Sequence, residues 1–288
     1  MWHRPKLFLL LALSLFLFAC SNTEKVSTGE QQFLDAKNNL KSSDFKAALD
    51  NLNATIKVTA DDSVRQQALL LRVAVITALA DADQQMAEAY HIGGKQPPAQ
   101  SQTAAFSRER SDYNNTARTY LMDAMQYVMD QRSKLGPNPV AIEVTFPGFT
   151  GGTDPGLAKI KSGIFISDNE RLNTELQLDR NALAQVLAGL AGAEDNLNKG
   201  RDLYNAGKVQ VDPRVYLIVF SDEFLHVAQM FDVRGVNDPA KFRTCNEVVR
   251  GNLDLAAKML EAKPDKDLET RVKKMQSDCD KCLKKLGA

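Results

Sequence analysis

Between Ser27 and Gly94 the apolar residues recur at helical spacing, and the polar residues gather into short interruptions. Phe33, Leu34, Ala36 and Leu40 mark a first helix, opened by the capping-box sequence Ser27-Thr28-Gly29-Glu30. Ser42-Ser43-Asp44 breaks the pattern, which resumes at period 3.6 through Phe45, Ala48, Leu49, Leu52 and Ile56. A second break, Thr59 to Ser63, precedes a strongly apolar run from Ala68 to Leu79. Asp81-Ala82-Asp83 predicts a further interruption, then a shorter helix with Met86, Ala87 and Tyr90 that Gly93-Gly94 stops.

The pattern changes in the middle of the chain. Lys95 to Thr103 carries two prolines and no periodicity, and reads as a linker. Ala104 to Lys134 predicts one long helix, ended by Gly136-Pro137. Val140, Ile142, Val144 and Phe146 then alternate with Ala141, Glu143 and Thr145, the period of a strand. No pairing partner is evident nearby, so the segment is either an extended connector or a strand whose partner lies elsewhere in the chain. Pro147 to Gly156 holds four glycines and two prolines and reads as a loop joining two helical halves. It lacks the Gly-Lys-Ser/Thr ending of a phosphate-binding loop.

Helical patterning returns after Leu157. Ser167-Asp168 caps a helix through Leu172, Leu176, Leu183, Val186, Leu187 and Leu190, and Ala193 to Ala206 continues to a terminating Gly207. Asp212-Pro213 and Asp238-Pro239 are paired N-cap and N1 signals. The first opens the most apolar helix of this half, Val215 to Phe231, and the second opens a helix to about Ala262. Lys263-Pro264 turns the chain into a last helix, Asp265 to Leu286.

Short polar breaks between helices make antiparallel neighbours. The expected fold is all-α, with roughly ten to twelve helices packed as hairpins and one short extended segment near 140–146. Asp44-Phe45-Lys46-Ala47-Ala48-Leu49 with Leu52 and Ile56 resembles the second helix of a tetratricopeptide repeat, and Ala36 stands at the small position of the first. That resemblance implies two units of about 34 residues across 30–93 and an α-solenoid-type array. The Trp, the Gly-Tyr pair and the terminal Pro of the consensus are absent.

The first twenty residues carry a different signal. Arg4 and Lys6 precede a thirteen-residue apolar run, Leu7 to Ala19, shorter than the roughly 20 residues of a membrane span. The run ends in Leu17-Phe18-Ala19-Cys20 and a polar stretch follows. This resembles the lipobox of bacterial lipoproteins, although Phe18 is bulkier than usual at its position. The resemblance implies cleavage between Ala19 and Cys20, diacylglycerol on the Cys20 thiol and acylation of the new amino terminus. Ser21 after the cysteine resembles the sorting pattern for the outer membrane, with the protein facing the periplasm. The segments expected are thus a signal peptide (1–19), a lipidated tether (20–28), tetratricopeptide-like hairpins (29–94), a linker and long helix (95–135), an extended segment and loop (136–156) and a helical region (157–288).

Composition narrows the function. Hydrophobic residues at 44% with 36 basic residues against 36 acidic exclude disorder and give no basic face for nucleic acid. Removal of residues 1–19 takes away Arg4 and Lys6 and leaves the mature chain slightly acidic. Of the four cysteines, Cys20 is assigned to the anchor. The final hairpin brings Cys279 or Cys282 within about a turn of Cys245, so a disulfide from Cys245 to Cys282 or to Cys279 is expected in an oxidising periplasm. Free thiols, a metal site and redox chemistry are the other readings of Cys279-Asp280-Lys281-Cys282. The motif sits near a helix end and lacks the His of a haem site.

His226 beside Phe224 and Leu225 is expected in the core, and Ser221-Asp222-Glu223 nearby forms no triad. Asp61-Asp62 and Glu194-Asp195 read as helix-start carboxylates. No catalytic residue, metal or cofactor is expected. The function expected is that of a lipid-anchored periplasmic scaffold binding envelope proteins. The alternative is a ligand-binding accessory of a solute transport system.

Overall fold

The computed structural model describes residues 27–146, 154–193, 196–232 and 237–286. The lipobox, the Pro147–Gly156 loop up to residue 153 and the Glu194-Asp195 pair lie outside them. Helix α1 (Thr28–Lys41) begins at the capping box: Glu30 N donates to Ser27 Oγ at 3.2 Å and Ser27 N to Glu30 Oε2 at 2.8 Å. After Ser43, held at φ 64°, Asp44 caps α2 (Phe45–Val58), and Asp61 caps α3.

The α3 helix departs from expectation. It runs unbroken for 32 residues, Asp62–Gly93, straight through Asp81-Ala82-Asp83. An aspartate in a helix interior is less favourable than alanine by only a few tenths of a kcal/mol. Two of them cannot end a helix that buries almost its whole circumference from Ala68 to Ala80. The second expected tetratricopeptide unit is therefore not formed by residues 62–93, and within 30–93 the two-helix form is that of the α1–α2 hairpin. Among the described helices, α3 alone is long and apolar enough to cross a membrane, and 67% of that stretch is buried inside the fold, as a core helix requires.

Residues 95–103 are also not a linker. Pro97–Gln102 is a 3-10 helix that leads directly into α4 (Thr103–Gln131), with proline at its first position, where no amide is needed. Beyond a short 3-10 turn lies β1 (Val140–Glu143), and it is paired. Its antiparallel partner is β2 (Lys208–Val211), in the register Val140 with Val211 and Glu143 with Lys208. Gly207, at φ 63°, ends the preceding helix in the left-handed conformation and turns the chain into β2.

Between the strands come α5 (Pro155–Lys161), α6 (Asp168–Leu190) and α7 (Leu197–Ala206). After β2 follow α8 (Pro213–Met230), α9 (Pro239–Ala262) and α10 (Lys266–Lys285), so ten α-helices and two strands occupy the described residues. The all-α expectation holds. The packing centres on α3, which touches α2, α4, α5, α6 and β1, while α8, α9 and α10 form the other flank. Tyr216, Phe220 and Phe224 of α8 are fully buried there. His226, expected in the core, is exposed: it lies between the buried positions Phe224 and Val227 on the outward side of the same turn.

Two arginines are buried with their charge answered. Arg72 donates to Asn53 Oδ1 at 2.5 Å and Asp123 Oδ2 at 2.6 Å, over the Tyr127 ring at 3.9 Å. Arg214 binds Asp212 and the Lys263 carbonyl, joining the start of α8 to the α9–α10 turn.

Candidate functional site

The continuity of α3 has a chemical consequence. Residues two apart on a helix face opposite sides, so Asp83 and Asp81 open on different cavities. Asp83 faces a cleft of about 430 Å³ between α3, α4 and α6. Glu109, Asp112, Tyr113, Thr116 and Tyr120 enter it from α4, and Arg171, Glu175 and Asp179 from α6. The spacing explains the convergence, because Arg171, Glu175 and Asp179 are four apart and share one face. Five carboxylates meet one guanidinium.

The hydrogen bonds divide the cleft into two parts. Near the rim Arg171 lies 3.5 Å from Glu109 and 3.0 Å from Asp168. Deeper, the Tyr113 hydroxyl donates to Glu175 Oε1. Asp83 Oδ2 is buried and has no hydrogen-bond partner. Burial, reinforced by the charge of Glu175, pushes Asp83 up to about 7. Burial, then the charges of Asp83 and Glu175, push Asp179 up to about 8, against a smaller opposing pull from Arg180. Tyr113 is likewise raised, by burial first and then by its bond to Glu175. The cleft therefore holds acidic protons near neutral pH and gains charge when a cation enters.

Aromatic rings support the wall behind Tyr113. Tyr90 stacks on Tyr113 with centroids 5.7 Å apart and meets Phe106 edge-on at 5.6 Å. Phe165 closes on Phe106 at 4.9 Å and is 37% exposed, beside the exposed Ile164. A cleft with carboxylates, tyrosines and an apolar lip is suited to a cationic group on an apolar stem.

The sequence pattern marks Asp81 and Asp83 only as a helix break and the tyrosines only as helix positions, and it marks none of Glu109, Asp112, Arg171, Glu175 and Asp179. The legible signal is the four-residue spacing of Arg171, Glu175 and Asp179, which puts all three on one face of the helix.

The predicted cysteine sites stand apart from the cleft. Cys20 and the Ala19–Cys20 cleavage point lie outside the described residues. Cys245 and Cys279 are wholly buried, Cys282 is partly so, and all three are free thiols in the structure. The hairpin about Pro264 does form, and its cross-links set the register: Arg243 reaches the Leu286 carbonyl, Arg250 reaches Asp280, and Gln276 reaches Asp254. Residue 245 is thus level with about 284–285. Cys282 lies within a turn of that height, whereas Cys279 is roughly 8 Å further along the helix at 1.5 Å per residue. Burial raises Cys245 to about 11 and Cys279 to about 12, which makes both thiols inert at neutral pH.

Among the described residues no group of three His, Cys, Asp or Glu side chains is placed to hold a metal ion. No protein family, curated protein or solved structure matches this chain.

Proposed function

We propose that the protein is a lipid-anchored lipoprotein of the outer membrane, facing the periplasm, that acts without catalysis as an interaction scaffold. We infer that its α3–α4–α6 cleft takes a basic segment of an envelope protein. The observation that carries this reading is the convergence of five carboxylates and one arginine on an open groove. Such a surface repels nucleic-acid phosphates, draws lysine or arginine side chains and offers tyrosine faces to stack on them. The exposed Ile164, Phe165 and Leu172 supply apolar contacts for flanking residues. The cleft volume, within the range of small-molecule sites, supports the alternative of an accessory to solute transport whose ligand is an organic cation.

Two measurements test the parts separately. The anchor rests on Cys20. Cys20→Ser is expected to move the protein from the membrane pellet to the soluble or unprocessed fraction, and an unmodified Cys20 in membrane-extracted protein would sink the anchor. The cleft is tested with a lysine- and arginine-rich peptide. Replacing Glu109 by Gln together with Asp112 by Asn, both on the cleft rim, is expected to weaken binding about tenfold and flatten its salt dependence. Equal binding of an acidic peptide, or unchanged affinity in the double variant, would remove the cleft from the proposal.

A further inference from the structure

Asp81 opens on a second, smaller cavity of about 180 Å³ between α3, α6, α8 and α10. Thr77 and Asp81 line it from α3, Gln185 from α6, Asp222 and Glu223 from α8, and Arg271 from α10. Asp222 is half exposed and lies 3.7 Å from Arg271, which marks the mouth. Thr77 is at the other extreme. It is 0% exposed, lines the cavity, and its Oγ1 has no hydrogen-bond partner.

A wholly buried hydroxyl without a partner is destabilising, and one that lines a cavity is satisfied when a donor enters that cavity. The charges point the same way: Asp222 and Glu223 face the single guanidinium of Arg271, and Asp81 adds a third carboxyl that a bound cation can ionise. A guest that answers both features carries positive charge and several N–H donors. A quaternary ammonium has the charge but no donors. We propose that this cavity binds a primary ammonium group, which donates to the carboxylates of Asp81 and Glu223 and to Thr77 Oγ1. Its volume has room for a small primary amine such as n-butylammonium. The same ammonium could arrive as a free amine or as the lysine side chain of a partner.

Binding has a proton signature. In the empty cavity burial, then the charge of Glu223, push Asp81 up to about 8, so it carries its proton at pH 7. The other charged groups facing it are Asp222 and Glu223 of α8 and Arg271 of α10, while α6 presents the neutral Gln185. An ammonium beside Asp81 favours the carboxylate, so the carboxyl proton passes to the buffer as the amine binds.

The test uses the full mature chain in detergent at pH 7 with n-butylammonium chloride, against sodium and tetramethylammonium chloride at equal ionic strength. With 200 mM n-butylammonium the melting temperature is expected to rise by about 4 °C above both controls, as for a site of roughly 10 mM affinity. Calorimetry in buffers of different ionisation enthalpy is expected to show release of close to one proton per amine bound. Asp81→Asn and Thr77→Val, neither of which adds volume or charge, should each remove most of the shift. Response to an oligolysine peptide at lower concentration than to n-butylammonium identifies a partner's lysine, and the reverse order identifies a free amine. A shift equal in all three salts, or one retained by Asp81→Asn, overturns the proposal. These readouts leave the rim residues of the larger cleft untouched, so either site can fail alone.

Discussion

Asp179→Asn is expected to raise the melting temperature by about 5 °C at pH 8 and to change it little at pH 4. Asp179 sits deep in the α3–α4–α6 cleft, where burial and the charges of Asp83 and Glu175 hold its carboxyl at about 8. In the unfolded chain the same carboxyl titrates near 4. Between those values the native state binds more protons than the unfolded state, so stability falls as pH rises from about 4 to about 8 and levels off above. The asparagine mimics the protonated form and escapes that loss. The gap between variant and wild type should therefore open across this window and then stay constant. The full shift would correspond to more than 5 kcal/mol, and relaxation around the partly accessible group reduces the expectation to about 2 kcal/mol. Thermal melts of both proteins between pH 4 and pH 9 check it, and parallel curves would refute the assignment. Asp83 shares the same field, so the double substitution Asp83→Asn with Asp179→Asn should give less than the sum of the two singles.

Gly93→Ala carries the largest expected loss. A Cβ at Gly93 would sit 1.9 Å from the carbonyl oxygen of Ile160 and 2.7 Å from Phe106 Cε1. The first of these is backbone and cannot swing aside, so α5 must move off the end of α3. The expected cost is about 3 kcal/mol, or a fall of roughly 6–12 °C in melting temperature. Gly136→Ala, whose Cβ would meet only Gln66 Nε2 at 3.6 Å, is the matched control and should be nearly silent. A function-level effect follows from the same contact. Phe106 and Tyr90 back the Tyr113 ring, and Tyr113 holds Glu175 in the cleft. Gly93→Ala should therefore also weaken binding of a basic peptide at a temperature where the variant is still folded. A melt within 2 °C of wild type would show that α3 and α5 do not approach as closely as described.

Much of the secondary structure was legible because its signals are local. Ser27, Asp61, Ser167, Asp212 and Asp238 each cap the helix that follows, through a side-chain oxygen reaching a backbone amide within three residues. Gly207 ends α7 for an equally local reason, its positive φ. The misreadings are of the opposite kind. Asp81 and Asp83 looked like a break because aspartates favour breaks in an exposed chain. Burial of α3 on nearly every side outweighs two unfavourable residues, and no neighbouring residue records that. The pairing of β1 with β2 escaped notice because the strands are four residues long and separated by three helices. His226 was placed in the core by its neighbours in sequence, although a helix turns it 100° from them per residue.

The sequence by itself determined that this chain is helical, where most of its helices begin and end, and that its last two helices fold back on each other about Pro264. It also carries the lipobox-like signal on which the anchor is proposed. Only the tertiary structure decided that α3 is continuous and central, that its two aspartates serve two different cavities, and that carboxylates from three helices meet beside it. The physical reason is range. Caps and periodicity are settled by residues within a turn or two of one another, whereas a cleft is a property of elements a hundred residues apart, and its unusual proton affinities come from the burial those elements impose together.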